Sequence, residues 1–130
     1  VWTAASKDYA IFVIKNIILN KKPDRKLDFI FFSYHCGISK KYTKNTKNLK
    51  MLWDFYKLKD YNIDNTIILD DYKEDVYYPQ ENNCIIAKPF YFKEGNHQDD
   101  FLLKLIYYLK LFNSNKIDIK TINSSLFNIP

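Results

Sequence analysis

At 130 residues, with 47% hydrophobic and 18% aromatic content, the chain can bury a single core, which excludes wholesale disorder. The net charge of +5 comes almost wholly from lysine, with Arg25 the only arginine. Planar recognition of phosphate or guanine recruits arginine for its fork of donors, so this composition gives a nucleic-acid role little support. Cys36 and Cys84 lie far apart and outside any C-x-x-C pair, which leaves neither a disulfide framework nor zinc-site spacing and favours a reducing, intracellular setting, nuclear or cytoplasmic.

No apolar run approaches the roughly 20 residues of a membrane span, and no signal-peptide pattern is present. Glycine is scarce while Lys, Asn, Ile and Tyr dominate, a bias that an AT-rich genome produces as readily as function does. The lysines are densest at Lys40, Lys41, Lys44, Lys47 and Lys50, which reads as a solvated face.

Val1, Trp2 and Thr3 look like the end of a strand already under way, so the sequence reads as a piece of a longer protein. Ser6 can cap a helix carrying Tyr9, Ala10, Val13, Ile14, Ile17 and Ile18 at helical spacing. Pro23 breaks that pattern, and residues 29–32 read as a second, buried strand. Residues 38–45 are polar and aperiodic and read as a loop. A helix follows from about Thr46, turning Leu49, Leu52, Trp53 and Tyr56 inward.

Residues 66–69 form a continuous apolar, largely β-branched run that stops at Asp70 and Asp71, as a fully buried parallel strand stops at a functional edge. Residues 71–75 read as a loop, and residues 83–87 as another short strand closed by Pro89. Asp99 or Asp100 then opens an amphipathic helix with Leu102, Leu105, Ile106, Leu109 and Leu111 on its inner face. Strands alternate with helices, which favours a parallel α/β sheet with helices on its faces. The stretch from Asn113 is polar, with a frayed end over residues 121–130.

In an open α/β sheet, ligands bind beyond the carboxyl ends of the strands. That singles out Thr3, the Ser33 to Cys36 segment, Asp70 with Asp71, and the region of Asn82. Adjacent carboxylates there make a hard oxygen site suited to Mg2+, although an aspartate pair also simply caps turns. Thr3 can donate its hydroxyl to a phosphoryl oxygen, and Lys47, near a helix start, can neutralise phosphate charge. His35 and His97 have no partner at metal-ligand or triad spacing, and there is neither a G-x-S-x-G elbow nor a phosphate-binding glycine loop.

The order of these pieces is more specific than any one of them. The run from Val1 through Thr3, Ala4, Ala5 and Ser6 to Tyr9 and Ala10 resembles the opening Thr-Ala segment of the C-terminal-domain phosphatases, the NLI-interacting-factor domain family of the haloacid dehalogenase (HAD) superfamily. The similarity continues through Lys47, Asn48 and Leu49, through Asn65 to the acidic pair Asp70 and Asp71, through Asn83 to Phe90, and on through Asp99 to Leu109. It covers about residues 1–120.

The resemblance implies a HAD-like Rossmannoid parallel sheet over residues 1–120 and a phosphoprotein Ser/Thr phosphatase using Mg2+. Thr3 would bind the phosphoryl group and Lys47 would hold phosphate and nucleophile charge, with Lys44 the alternative substrate-binding lysine. Asp70 and Asp71 would ligate the metal. In the family, an Asp-x-Asp-x-Thr strand supplies the aspartate that becomes an aspartyl-phosphate and the aspartate that acts as general acid and base. No such motif occurs in these 130 residues. The basic residue usual before the cysteine is also missing, since Ser33, Tyr34 and His35 precede Cys36.

The expectation is therefore of a phosphatase domain whose nucleophile strand lies upstream. That strand would run between those ending at Thr3 and Asp70, leaving unpaired edges without it and a chain inactive and marginally stable alone. The alternative is a peptide-binding module, for which the mitochondrial inner-membrane translocase subunit of the same fold is the precedent. A lysine-driven nucleic-acid domain ranks last.

Overall fold

In the computed structural model, which describes residues 1–92 and 98–114, the chain divides into two compact units, Val1–Asn48 and Leu49–Pro130. In the first, the Ser6 hydroxyl accepts the Tyr9 N–H at 3.4 Å and starts α1 (Lys7–Val13). The helix widens into a π-helical turn, Ile14–Ile18, closed by the Leu19 N–H on the Ile14 carbonyl at 2.8 Å. Its buried side is narrower than the spacing suggests: Ala10 and Ile14 are buried, whereas Tyr9 and Ile17 face solvent.

The strand expected over residues 29–32 shrinks to one parallel bridge between Trp2 and Phe31. The Thr3 N–H donates to the Phe31 carbonyl at 2.9 Å and the Phe31 N–H to the Val1 carbonyl at 2.8 Å. Side chains take over where the ladder stops. The Trp2 ring meets Phe31 edge-on at 5.1 Å, and the imidazole of His35 stacks on Phe31 at 4.6 Å. Such ring pairs add about 0.5–1.5 kcal/mol beyond the area they bury.

Residues 38–45, expected as a loop, belong mostly to a helix, α2 (Ser33–Thr43). Its first turn is capped from within, because the Phe32 N–H donates to Nδ1 of His35 at 3.1 Å. The packed face of α2 carries Cys36 and Ser39, three residues apart, and small or polar residues give no hydrophobic period to read.

In the second unit, the helix expected from Thr46 is only a π-helical turn, Met51–Phe55, although Leu49 and Leu52 are buried as anticipated. Strand β1 (Ile68–Asp70) pairs in parallel with β2 (Cys84–Ile86), in register Ile68 to Cys84, Leu69 to Ile85 and Asp70 to Ile86. Parallel neighbours need a crossover. Here it holds α3 (Lys73–Val76), within the stretch expected as a loop, and a 3-10 turn, Glu81–Asn83.

Strand β1 is not buried on both faces, since Ile68 is inside but Leu69 is 41% exposed. Helix α4 (Phe101–Asn113) follows Asp100, whose carboxylate pairs with Lys104 at 2.8 Å one turn on. Of the apolar positions expected inward on α4, only Leu105 is buried. It packs with Ile85 against Ile67, Phe101 and Phe112, while Leu102, Ile106 and Leu109 are exposed. Full burial of a side chain such as Ile85 contributes roughly 1.5–3 kcal/mol.

These elements make a mixed fold of helices and small parallel pairings, α/β in class. No helix among the described residues is long and apolar enough to cross a membrane. The expected polar tail over residues 121–130 lies outside the described residues, as does His97.

The approach to β1 is held by one amide. The Asn83 Nδ2 donates to the carbonyls of Ile63 at 2.6 Å and Thr66 at 2.8 Å, from a side chain that is almost fully buried. Asn83→Ala removes both bonds and should cost about 2 kcal/mol, since carbonyls left without a donor lose more than a bond's net worth. In urea titrations this appears as a lower midpoint at unchanged slope, and a shift below about 0.5 kcal/mol would show that the turn holds itself.

Candidate functional site

Thr3 directly follows the isolated parallel bridge between Trp2 and Phe31. Its hydroxyl oxygen accepts the Ala5 N–H at 3.1 Å, which fixes the side chain and leaves the hydroxyl proton to be donated. Behind it, the Trp2 indole N–H points at the Cys36 sulfur at 3.3 Å. Burial lowers the pKa of His35, against the opposing pull of a Phe32 backbone hydrogen bond.

Lys47 lies in the same unit and is buried, at 6% exposure, an unusual place for an ammonium group. The loop that carries it is tied to α2 by hydroxyl groups. Ser39 is wholly buried; its Oγ donates to the Asn45 carbonyl at 2.7 Å and accepts the Asn48 N–H at 3.0 Å. One turn later, the Thr43 Oγ1 donates to the Ser39 carbonyl at 2.8 Å and accepts the Asn45 N–H at 3.2 Å. The Asn45 carboxamide oxygen in turn accepts the Lys47 N–H at 2.9 Å. Lys44 ends α2 in the left-handed region, φ 63°, and its side chain is exposed.

In the second unit, Asp70 is the last residue of β1 and half-buried, and Asp71 follows it at the exposed edge. The Asp70 Oδ1 accepts the Tyr72 N–H at 2.9 Å, and its backbone carbonyl accepts the Ala87 N–H at 2.8 Å. The carboxylate is thus oriented by its own turn and the strand end by its neighbour. Burial, with Asp70 and Glu81 adding to it, pushes the Cys84 thiol up to about 12. No group of three or more His, Cys, Asp or Glu side chains able to hold a metal occurs among the described residues.

Gln80 ties the start of this unit to the segment after the acidic pair. Its Oε1 accepts the Leu49 N–H at 2.8 Å, and its Nε2 donates to the Val76 carbonyl at 2.6 Å. Of the supporting residues, Ser39, Thr43 and Gln80 carry no motif, and Asn83 figures only as the start of the stretch 83–90. The Ser39–Thr43 pair, one helical turn apart, is the only one with a spacing that a reader of the sequence could have used.

A model of the family described as NLI interacting factor-like phosphatase matches residues 1–120. The chain is similar to a protein of Invertebrate iridescent virus 6 named as CTD phosphatase-like, 45% identical over 103 residues that make up 77% of this chain and 56% of the relative. It is similar also to the like-named protein of Invertebrate iridescent virus 3, 46% identical over 118 residues, 86% of this chain and 62% of the relative. The chain thus spans less than two thirds of the length of either relative. No solved structure matches it.

Ser39→Ala removes the hydroxyl shared by the Asn48 N–H and the Asn45 carbonyl, the latter keeping a bond from the Thr43 Oγ1 at 3.2 Å, and is expected to cost about 1–3 kcal/mol. Hydrogen exchange at the Asn48 amide should quicken in this variant. Unchanged protection there would show that Thr43 and Asn45 hold the loop without Ser39.

Proposed function

Because the chain belongs to the NLI interacting factor-like phosphatase family, we propose that it forms part of a Mg2+-dependent phosphoprotein Ser/Thr phosphatase domain of the HAD-like type. The nucleophilic aspartate of this reading lies outside the 130 residues, which contain no Asp-x-Asp-x-Thr. The observation that carries the proposal is the acidic pair at the carboxyl end of a parallel strand, within the stretch the family matches.

Asp70 and Asp71 are the residues that would hold Mg2+. The donor set fits, because this ion takes one or two protein carboxylates and fills its other positions with water and phosphate oxygens. When bound, the ion opposes the negative charge of the phosphoryl oxygens. The Tyr72 N–H keeps the Asp70 carboxylate turned for that task.

Thr3 donates its hydroxyl proton to a phosphoryl oxygen, its oxygen meanwhile accepting the Ala5 N–H. Lys47 brings a positive charge to the phosphate from a loop that the Ser39 and Thr43 hydroxyls hold in place, so little reorganisation is needed as charge develops. Lys44, exposed on the same loop, serves as a contact for the substrate segment. The substrate class is phosphoserine or phosphothreonine in a protein, and the setting intracellular.

The test compares the 130-residue chain with a version extended at its N-terminus by the parent protein's upstream segment, using an aryl phosphate and a phosphopeptide with Mg2+. The chain alone should show no turnover above buffer. The extended protein should turn over, and Asp70→Asn should lower its kcat by about 10²-fold or more. Turnover by the 130-residue chain that is sensitive to Asp70→Asn would sink the assignment of the nucleophile. An extended protein that binds peptides without hydrolysing them would be the non-catalytic module instead.

A further inference from the structure

Helix α4 is apolar nearly all round, and the packing within its unit covers only one side of it. Phe101, Leu105 and Phe112 pack with Ile67 and Ile85. Leu102, Leu103, Ile106, Tyr107 and Leu109 point elsewhere and leave 41–70% of their surface in water. A helix with no polar side is one that is buried all round, so this exposed stripe calls for a second partner.

The spacing along the stripe is more specific than its hydrophobicity. Leu102, Ile106, Leu109 and Asn113 follow one another at steps of four, three and four residues. At 3.6 residues per turn these steps keep all four within about 60° around the helix axis. Alternating steps of four and three form the seam of two helices packed side by side. Leu102 and Leu109 then hold the positions that suit leucine, and Ile106 the position where a β-branched residue favours pairs. Asn113 holds the next such position, where a single amide fixes register and the number of strands. Lys104, bound to Asp100, lies on the opposite side of the helix.

Size points the same way. The five exposed side chains offer on the order of 500 Å2, in the upper part of the about 300–600 Å2 that the largest patch of a monomer covers. That is more than half of the about 800 Å2 that each partner gives to a standard interface, and the exposed Lys110 and Asn113 flank it. Two heptads are too few for helices that must fold as they pair. Helix α4 is already folded on Ile85, so association has only to bring two faces together.

We propose that this stripe is a self-association face, on which α4 of a second copy of the chain packs in parallel about a two-fold axis. A parallel pair sets Asn113 against Asn113, where each amide can donate and accept. An antiparallel pair would set the amide against Leu102, with no polar partner there. The inference stands apart from the phosphatase reading, because no residue placed in the chemistry lies on α4.

The experiment is sedimentation equilibrium over about 1–100 μM, since the mass of a self-associating chain depends on its concentration. It is run on the 130-residue chain and on the version extended by the parent protein's upstream segment. A species of two chains is expected in both. Leu102→Glu/Ile106→Glu should raise the concentration at half-association about tenfold or more. Phe12→Glu/Ile17→Glu, which charges exposed apolar residues of the first unit, should change it less than about twofold. Asn113→Cys should form a disulfide-linked pair on mild oxidation, the chain's own thiols being buried.

A single-chain mass throughout, open-ended aggregates in place of pairs, or equal losses in the two glutamate variants would overturn the inference. A two-chain mass for the 130 residues with a single-chain mass for the extended protein would overturn it too, since the parent's own chain would then cover the stripe. An Asn113→Cys variant that stays unlinked would overturn the parallel pairing and the proposal with it. If a glutamate variant fails to fold by circular dichroism, the mass of the unaltered proteins and the linkage at position 113 still decide. No turnover is measured, so this result and the test of the phosphatase reading remain separate.

Discussion

Three positions of β1, Ile68, Leu69 and Asp70, register in parallel against Cys84, Ile85 and Ile86, and this short ladder is the constraint around which the second unit is arranged. A parallel pair cannot be joined by a tight turn, so the segment between must leave one end of the pair and return to the other. That requirement places α3 and the 3-10 turn Glu81–Asn83, and it leaves Asp70 at the carboxyl end with its successor at an open edge. The ladder is too short to be stable on backbone bonds alone. It is completed by Leu105, which packs on Ile85, and by the Asn83 amide at its entrance.

The same economy appears throughout. Where longer strands would satisfy the backbone by repetition, this chain uses single side chains as its partners: Ser39 and Thr43 for the Lys47 loop, Gln80 for Leu49 and Val76, and His35 for the start of α2. A buried side-chain bond of this kind is costly to break because its partner is left dry. The candidate site therefore rests on hydroxyl and amide groups that take no part in the proposed chemistry.

This division explains what the sequence discloses. The run into Asp70 and Asp71, the Ser6 cap and the strand at Ile85 are written in periodicity, β-branching and capping chemistry; the cap is found where predicted, while the strands expected over 66–69 and 83–87 form only over 68–70 and 84–86, the first with Leu69 exposed. The order of short motifs, from Thr3 to Leu109, identifies the family, and the match over residues 1–120 agrees with it. Helix α2 escapes because Ser39 serves where a leucine would announce a buried face. The inner face of α4 is misplaced because the helix is apolar nearly all round, so spacing alone cannot choose between Leu102 and Phe101. How Thr3 and Lys47 are held depends on bonds between residues of ordinary type, which leave no pattern to detect.

Both thiols are shut away: Cys36 lies beneath the Trp2 indole, and Cys84 begins β2 with its proton firmly held. Peroxide oxidises exposed thiolates, which is how phosphatases built on a cysteine nucleophile come to be switched off by it. A chain that buries both of its thiols offers such oxidants no ready target. Neither cysteine therefore adds a reactive sulfur to the polar groups around Thr3, Lys47 and Asp70.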